Sequence, residues 1–331
     1  MEKNNEKLEE KVKRQEIIIN QLEKEIVKMK SSKFWKLRGL YLTYKKKFSF
    51  LFLSPEKFVK KYIKIAYKIM FPKSYELSGV DRKYLDYNKK FIEEMKKKEN
   101  PKVLAIVNHY YSDENVSEFP GKSATQDALV RKGIVEKVIS GLKEIPNVDV
   151  KICGIKGRSL FDIDEDFSHI GNPAFLVYSS IEWMFSQIDK YDYFINIEDD
   201  ILFTKETFKE IVEFDKENII TRCFHPNRME YEGGNEYCAD FKSKPGWQNI
   251  FMDYKGMKLR VAKNPHSGLA VLSRPKMLYA RDKVDLKRRD IIIGYYMASA
   301  FANVNSPFLL YRSYPDLSRH KVIHLDKWEE R

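Results

Sequence analysis

The sequence predicts an α/β protein in which a mostly parallel, doubly wound sheet has helices on both faces. Three observations support this fold class. Apolar, β-branched runs recur at 102–107, 148–153 and 191–197. Segments with a helical spacing of apolar residues lie between them, and these segments begin at residues that commonly cap helices. Strands that alternate with helices pair in parallel, because each helix returns the chain to the same end of the sheet.

Residues 1–30 predict a short coiled coil in front of this fold. Its apolar side chains recur at spacings near 3.5 residues, at Leu8, Val12, Ile19, Leu22, Ile26 and Met29. Lys and Glu occupy the other faces, so that about three heptads would support a marginal homo-oligomeric association. A single solvated helix is the alternative.

Residues 31–75 predict a basic, aromatic-rich amphipathic segment. Its second half starts with Ser54 as N-cap and Pro55 in the first helical position. Apolar side chains then fall on one face of the helix and lysines on the neighbouring face, which suits the surface of an anionic membrane. A helix that packs on the rest of the protein with its lysines in water is the alternative. The residues expected at the membrane surface are Trp35, Lys45, Lys46, Lys47, Lys60, Lys61 and Lys64.

The distribution of charge argues against a nucleic-acid partner. The formal net charge is +12, a value that suggests a basic binding surface. Nearly all of the excess positive charge lies in 31–75, which contains 12 Lys and Arg residues and one acidic residue, Glu56. The chain beyond residue 75 is balanced, so its surface has no excess of cations for phosphates to bind.

The remaining domain limits and the compartment follow from composition. We expect a helical linker at 76–100 and the catalytic domain at 101–331. The N-terminus lacks the apolar core of a signal peptide, and no apolar stretch reaches the roughly 20 residues that span a bilayer. Three cysteines without a C-x-x-C pair favour a reducing compartment. We therefore expect a cytoplasmic protein, peripheral on the inner face of the membrane.

Residues that commonly cap helices predict the starts of three helices in the domain at 101–331. Ser123, with a glutamine three residues later, forms a capping box that predicts the start of the first helix. Asn172 and Pro173 predict the start of the second, and Thr204 caps the third. Ligands of such sheets bind beyond the carboxyl ends of the strands, so the residues that follow each strand are candidates for a functional site.

Three acids, Glu198, Asp199 and Asp200, follow the third predicted strand directly. Adjacent carboxylates repel one another, and an inward-facing group needs water or a cation to neutralise it. A hard divalent ion that binds one or two carboxylates and keeps positions for diphosphate oxygens meets this need.

The run YFINIEDDIL resembles the strand and acidic motif of nucleotide-sugar-dependent glycosyltransferases of the GT-A fold. The resemblance covers 101–331 and implies a GT-A-like sheet that binds Mn²⁺ or Mg²⁺. It implies that Asp200 is a metal ligand and that Glu198 and Asp199 contact the donor.

The resemblance also implies roles for the loop after the first strand and for a late strand. Asn108, Tyr110 and Asp113 correspond by position to the loop that holds the nucleotide. His266 and Ser267 precede the apolar run GLAVL, where this fold usually builds its acceptor side.

Two further roles come from the C-terminal third. Asp290 resembles the carboxylate that removes the acceptor proton near the start of a late helix, with Asp285 as the reserve. A simple helix N-cap is the alternative for Asp290. His324 resembles the late histidine that completes the metal shell, and a structural histidine at a strand end is its alternative.

Together these residues predict a metal-dependent glycosyltransferase at the cytoplasmic membrane surface. It would move a sugar from a nucleotide-sugar donor to a glycan or lipid-linked acceptor, with inversion as the favoured stereochemistry. Two other functions stay open, a noncatalytic membrane-associated assembly module and a metal-dependent nucleotidyltransferase.

Overall fold

A computed structural model describes residues 79–112, 127–239, 246–265, 267–293 and 295–328. The predicted coiled coil and the predicted membrane segment, with Trp35 and its lysines, lie outside these ranges, as do Asp113 and His266. Among the described residues, no helix is both long and apolar enough to cross a bilayer.

The described elements alternate between helix and strand through the first half of the domain. The helices are α1 (Gly79–Lys96), α2 (Ala128–Lys143), α3 (Leu176–Ser186), α4 (Lys205–Asp215), α5 (Arg274–Arg281), α6 (Tyr296–Asn305) and α7 (Leu325–Trp328). The strands are β1 (Val103–Asn108), β2 (Val148–Gly154), β3 (Glu165–Asp166), β4 (Tyr193–Glu198), β5 (Ile201–Leu202), β6 (Arg222–Phe224), β7 (Asn227–Glu232), β8 (Asn235–Cys238), β9 (Trp247–Tyr254), β10 (Met257–Ala262), β11 (Leu269–Ser273), β12 (Leu309–Ser313) and β13 (Lys321–His324).

The central sheet has the strand order β11-β4-β1-β2-β3. β1 pairs in parallel with β2 and β4, β2 pairs in parallel with β3, and β11 runs antiparallel to β4. The α/β class is confirmed, and the three predicted strands are β1, β2 and β4. Asn108 lies beside both Cys153 and Glu198, so the carboxyl ends of these strands meet at one edge.

Alternate side chains of β1 enter two different cores, because this strand is buried on both faces. Val103, Ala105 and Val107 pack with apolar side chains of α1, α2 and α4. Leu104 and Ile106 pack with apolar side chains of α3, α5 and α6. Helices therefore cover both faces of the central sheet, as buried parallel strands require.

Two smaller sheets flank the central one. The sheet β5-β13-β7-β8 returns the C-terminal part of the chain to the end of β4, because β5 follows β4 after Asp199 and Asp200 only. Ile201 of β5 pairs with His324 of β13. The other sheet, β6-β12-β10-β9, packs Phe224 and Tyr311 into a third core.

The predicted capping residues are right at two helices and wrong at one. Thr204 caps α4, and Asn172 caps the 3-10 turn that leads into α3. α2 begins at Ala128 instead of near Ser123, because the Asp127 carboxylate accepts the N–H groups of Leu129 and Val130. A carboxylate at this position satisfies backbone donors and also suits the positive end of the helix dipole.

The helix expected to start at Asp290 begins at Tyr296. The three isoleucines after Asp290 are β-branched and have lower helix propensity than unbranched residues. The backbone there folds back on α6, since the N–H groups of Ile292 and Ile293 donate to Ser299 Oγ. Asp290 is therefore not the N-cap of this helix.

Residues 79–96, within the predicted helical linker at 76–100, form a helix that packs on the domain. Phe91 and Met95 of α1 are buried in the core below α2 and α4. The side chain of Asn88 accepts the N–H of Ile220 at 3.1 Å. These contacts make α1 part of the packed structure.

Substitution of Phe91 tests this placement. We expect Phe91→Ala to lower the free energy of unfolding by about 3–5 kcal/mol, because it leaves a cavity in the core. Tyr87 on the same helix is 45% exposed, and Tyr87→Ala is the control with a much smaller expected loss. Urea unfolding measures both, and equal losses would place α1 outside the core.

Candidate metal centre

β11 approaches the acidic motif through a glycine. The carbonyl of Gly268 accepts the N–H of Glu198 at 2.9 Å. Gly268 has φ +74°, and a Cβ there would lie 2.7 Å from Ile201 Cγ1 and 3.1 Å from Glu198 Oε2. Only glycine fits this approach. The predicted Ser267 precedes it and is buried, with its hydroxyl donating to the carbonyl of Pro226.

Asp199 points into the protein rather than into a cleft. Its Oδ2 lies 2.7 Å from His109 Nδ1, and its Oδ1 accepts a hydrogen bond from the Arg131 guanidinium. His109 Nε2 accepts the N–H of Leu160, which places the ring proton on Nδ1, where it donates to Asp199. The carboxylate is fully enclosed. The donor contact expected of Asp199 is therefore not seen, because the side chain has no exposed surface.

Asp200, His324 and Asp326 converge at the carboxyl edge of the central sheet. One ligand atom from each lies within 4.8 Å of those of the other two. Asp200 Oδ2 is 3.4 Å from His324 Nε2, and the carbonyl of Asp200 accepts the N–H of Leu325 at 2.7 Å. The structure brings the two predicted metal ligands together and adds Asp326, which was not predicted.

Arg131 of α2 lies beside the same carboxylates. Its NH1 is 3.5 Å from Asp200 Oδ2 and 3.8 Å from Asp326 Oδ2, while NH2 contacts Asp199. Burial by itself lowers the pKa of Arg131, but the three carboxylates outweigh it and hold that pKa above its usual range. Arg131 is thus a permanent buried cation that offsets the repulsion among the acids.

A second carboxylate orients His324. Glu230 Oε1 is 3.1 Å from His324 Nδ1, and Glu230 also accepts the hydroxyl of Tyr237 at 2.7 Å. Arg228 lies 3.4 Å from the same carboxylate. An outer carboxylate that binds the far nitrogen of a histidine is the usual support of a metal-ligating imidazole.

The pKa of His324 reflects these neighbours. Burial lowers the pKa of His324, but the charge of Asp200 and hydrogen bonds to Asp200 and Glu230 outweigh it and raise the pKa to about 9. Without a cation His324 is therefore protonated at neutral pH. A metal ion needs the neutral imidazole, so metal and proton compete for this side chain.

The formal charges favour a divalent ion over a proton. Among the described residues, the four carboxylates of Asp199, Asp200, Glu230 and Asp326 carry one charge more than two arginines and the protonated His324 together supply. Exchange of that proton for a divalent cation brings the group to neutrality. Charge balance matters here because the surroundings are buried and little water screens the acids.

The predicted nucleotide-binding residues near β1 have other partners. The amide of Asn108 donates to Asn196 Oδ1 and to the carbonyl of Ile197, and its oxygen accepts the hydroxyl of Ser180. These bonds join β1 to β4 and α3. The hydroxyl of the mostly buried Tyr110 accepts from Arg158 at 2.6 Å. The side chain of Asn108 therefore forms hydrogen bonds inside the protein, whereas Tyr110 lies in the first loop beyond the strand.

The predicted bases Asp290 and Asp285 are exposed in the segment between α5 and α6. Asp290 pairs with Arg288, and this hydrogen bond lowers the pKa of Asp290. Asp285 accepts the N–H of Lys287 at 2.9 Å. A general base works best with a pKa near the operating pH, so the environment of Asp290 is unfavourable for that role.

Asp326, Arg131 and Glu230 are not among the residues predicted from the sequence. Signals for two of them exist. Asp326 follows His324 by two residues, a spacing that can bring both side chains to one site. Arg131 stands on the apolar face of α2, one turn before Ile134, where an arginine indicates a buried anion. Glu230 lies next to His324 only because β7 pairs with β13, so the sequence carries no local signal for this contact.

The Asp200–His324–Asp326 group has the donor set of a divalent-cation site. Carboxylate oxygens suit hard ions such as Mn²⁺ and Mg²⁺, and an imidazole nitrogen also binds transition metals. The three ligands come from the β4–β5 turn, β13 and α7, so the fold and not a flexible loop holds them. No family model matches the chain, and comparisons with curated proteins and with solved structures give no match.

Removal of one carboxylate tests this site. We expect Mn²⁺ to raise the unfolding temperature of the EDTA-treated protein, and Asp326→Asn to abolish that rise because one ligand is lost. Asp316→Asn, at an exposed aspartate outside the group, is the control and should keep the rise. A full rise in Asp326→Asn would show that the ion binds elsewhere.

The raised pKa of His324 predicts a pH dependence of stability. In EDTA, the ion pairs of His324 stabilise the fold fully below its ordinary pKa of 6.5 and are lost as the pH rises through about 9. We therefore expect the free energy of unfolding to fall over this interval in the wild type and to fall less in His324→Gln. Urea unfolding at several pH values measures it. His169→Gln, at an exposed histidine, is the control, and identical slopes in His324→Gln and the wild type would contradict the assignment.

Proposed function

We propose that this protein is a metal-dependent glycosyltransferase that takes its sugar from a nucleotide-sugar donor. The observation that supports it most is the convergence of Asp200, His324 and Asp326 beyond the carboxyl ends of parallel strands. This edge is where α/β sheets bind ligands. The same edge carries Glu198, a half-buried carboxylate beside Gly268 that can contact a donor.

Asp200, His324 and Asp326 would hold the cation. Their mixture of oxygen and nitrogen donors favours Mn²⁺ over Mg²⁺, which prefers oxygen ligands. When bound, the ion supplies positive charge that neutralises the diphosphate of the donor.

The chain's own residues keep this site organised. His109 and Arg131 fix the position of Asp199. Arg131 also forms ion pairs with Asp200 and Asp326, which offset the repulsion between these two carboxylates. Such preorganisation lowers the free energy needed to assemble the charged site when a donor arrives. Arg131 is a positioning residue in this proposal.

The acceptor side and the location belong to the same proposal. We assign a glycan or lipid-linked acceptor at the cytoplasmic membrane surface on the basis of the basic segment at 31–75, and homo-oligomerisation on the basis of 1–30. Inversion stays a prediction. The general base is left unassigned, because Asp290 and Asp285 are exposed and have no contact with the Asp200 group.

A donor screen tests the proposal. EDTA-treated full-length protein is given Mn²⁺ and nucleotide sugars with different bases, and release of nucleoside diphosphate and transfer of sugar are both measured. We expect Asp200→Asn to lower turnover by about 10²-fold or more, because metal-assisted charge stabilisation contributes several kcal/mol. Asp316→Asn should keep wild-type turnover.

The other outcomes separate the remaining functions. Transfer of the nucleoside monophosphate, with release of sugar 1-phosphate in place of nucleoside diphosphate, would indicate a nucleotidyltransferase. Mn²⁺ binding without turnover of any donor would indicate a noncatalytic module. Full activity in EDTA or in Asp200→Asn would refute the metal-dependent transferase.

A further inference from the structure

The described residues between α5 and α6, 282–293 and 295, expose a cluster of large apolar side chains. Ile291 is 54% exposed, Ile292 45% and Tyr295 57%. Three of the eight large apolar side chains that are exposed in the described part of the chain thus lie within five positions. Scattered exposed apolar residues are ordinary, whereas a cluster indicates an interaction surface. We call this cluster the α5–α6 tip.

Part of the backbone of the tip is hydrogen-bonded to side chains of the protein. The N–H groups of Ile292 and Ile293 donate to Ser299 Oγ at 2.8 and 3.1 Å, and that hydroxyl donates to the carbonyl of Ile293. The hydroxyl of Tyr178 donates to the carbonyl of Asp290 at 2.7 Å. A backbone group that already has a partner enters an apolar environment at a lower cost in free energy, and these four groups have their partners.

The charges around the tip match an anionic surface. Segment 281–290 contains five basic and three acidic residues. Asp290 pairs with Arg288, and Glu182 pairs with Arg289. With Glu182 counted beside the segment, the surplus is one positive charge. Lys287 and Lys283 are exposed cations in the same segment.

We infer that the α5–α6 tip inserts into the headgroup boundary of an anionic membrane. Ile291 and Ile292 would enter the acyl boundary, Tyr295 would lie at headgroup level as tyrosines do, and the lysines would contact anionic lipids. A protein partner fits less well, because three side chains cover far less than the roughly 800 Å² that each partner of a stable interface buries. This contact belongs to the described domain and depends neither on 31–75 nor on transferase activity.

A site-specific label tests the insertion in the full-length protein. Ile292→Cys is labelled with an environment-sensitive fluorophore, which should react selectively because the native Cys153, Cys223 and Cys238 are buried. The protein is mixed with vesicles of phosphatidylcholine and phosphatidylglycerol. We expect the emission to shift to shorter wavelength and brominated lipids to quench it. Phe251→Cys, at a residue 49% exposed on β9, is the matched control and should show neither change.

Binding strength provides a second test. Ile291→Ser/Ile292→Ser/Tyr295→Ser should weaken partition into these vesicles about a hundredfold, because three apolar contacts are lost at once and each corresponds to roughly a fivefold change in affinity. Ile250→Ser/Phe251→Ser should leave partition unchanged. Pure phosphatidylcholine should bind either protein more weakly than the anionic mixture does.

Several results would overturn the inference. One is that the emission of the label at 292 stays as it is in water although the protein sediments with the vesicles. Another is that the protein does not sediment with the vesicles at all. An equal shift at 251 would show that the response is not specific to the tip. A blue-shifted label at 292 before vesicles are added would show that the tip is covered by this chain or by a second copy.

Discussion

The ion pairs of Arg131 with Asp199, Asp200 and Asp326 are the contact on which the rest of the site depends. Three carboxylates gather where a buried strand ends, and an unpaired charge in such surroundings is destabilising by several kcal/mol. The guanidinium on α2 balances them from inside the protein. It therefore links α2 to the β4–β5 turn and to α7, and it keeps the acids close enough together to share a cation.

The topology explains how residues far apart in the chain reach this point. Asp199 and Asp200 separate β4 from β5, and β5 pairs with β13, which carries His324 at its last position. α7 starts immediately afterwards and contributes Asp326. Because the C-terminal strand joins a small sheet rather than the central one, it crosses directly over the carboxyl edge of the parallel strands.

The residual negative charge of the group is the physical basis of its proposed chemistry. Among the described residues, the charges of Arg131, Arg228 and a protonated His324 sum to one less than those of the four carboxylates, and a divalent ion in place of the proton would make the two sums equal. The α5–α6 tip is built in the opposite way, with part of its polar backbone hydrogen-bonded to the protein and its apolar side chains outside. The Asp200 group is therefore suited to bind a cation, and the α5–α6 tip is suited to enter an apolar environment.

Local patterns were enough for the α/β class, for β1, β2 and β4, for the caps Thr204 and Asn172, and for the position of the acids after a strand. Apolar periodicity and capping depend on neighbours within a few residues, so they are visible in a single chain. Arg131 and Glu230 were missed because their partners lie 68 and 94 residues away. The inward direction of Asp199 and the late start of α6 were also decided by tertiary contacts, with His109 in one case and Ser299 in the other. Only packing selects which of several adjacent charged residues faces the interior, because burial energies depend on partners that sequence spacing does not specify.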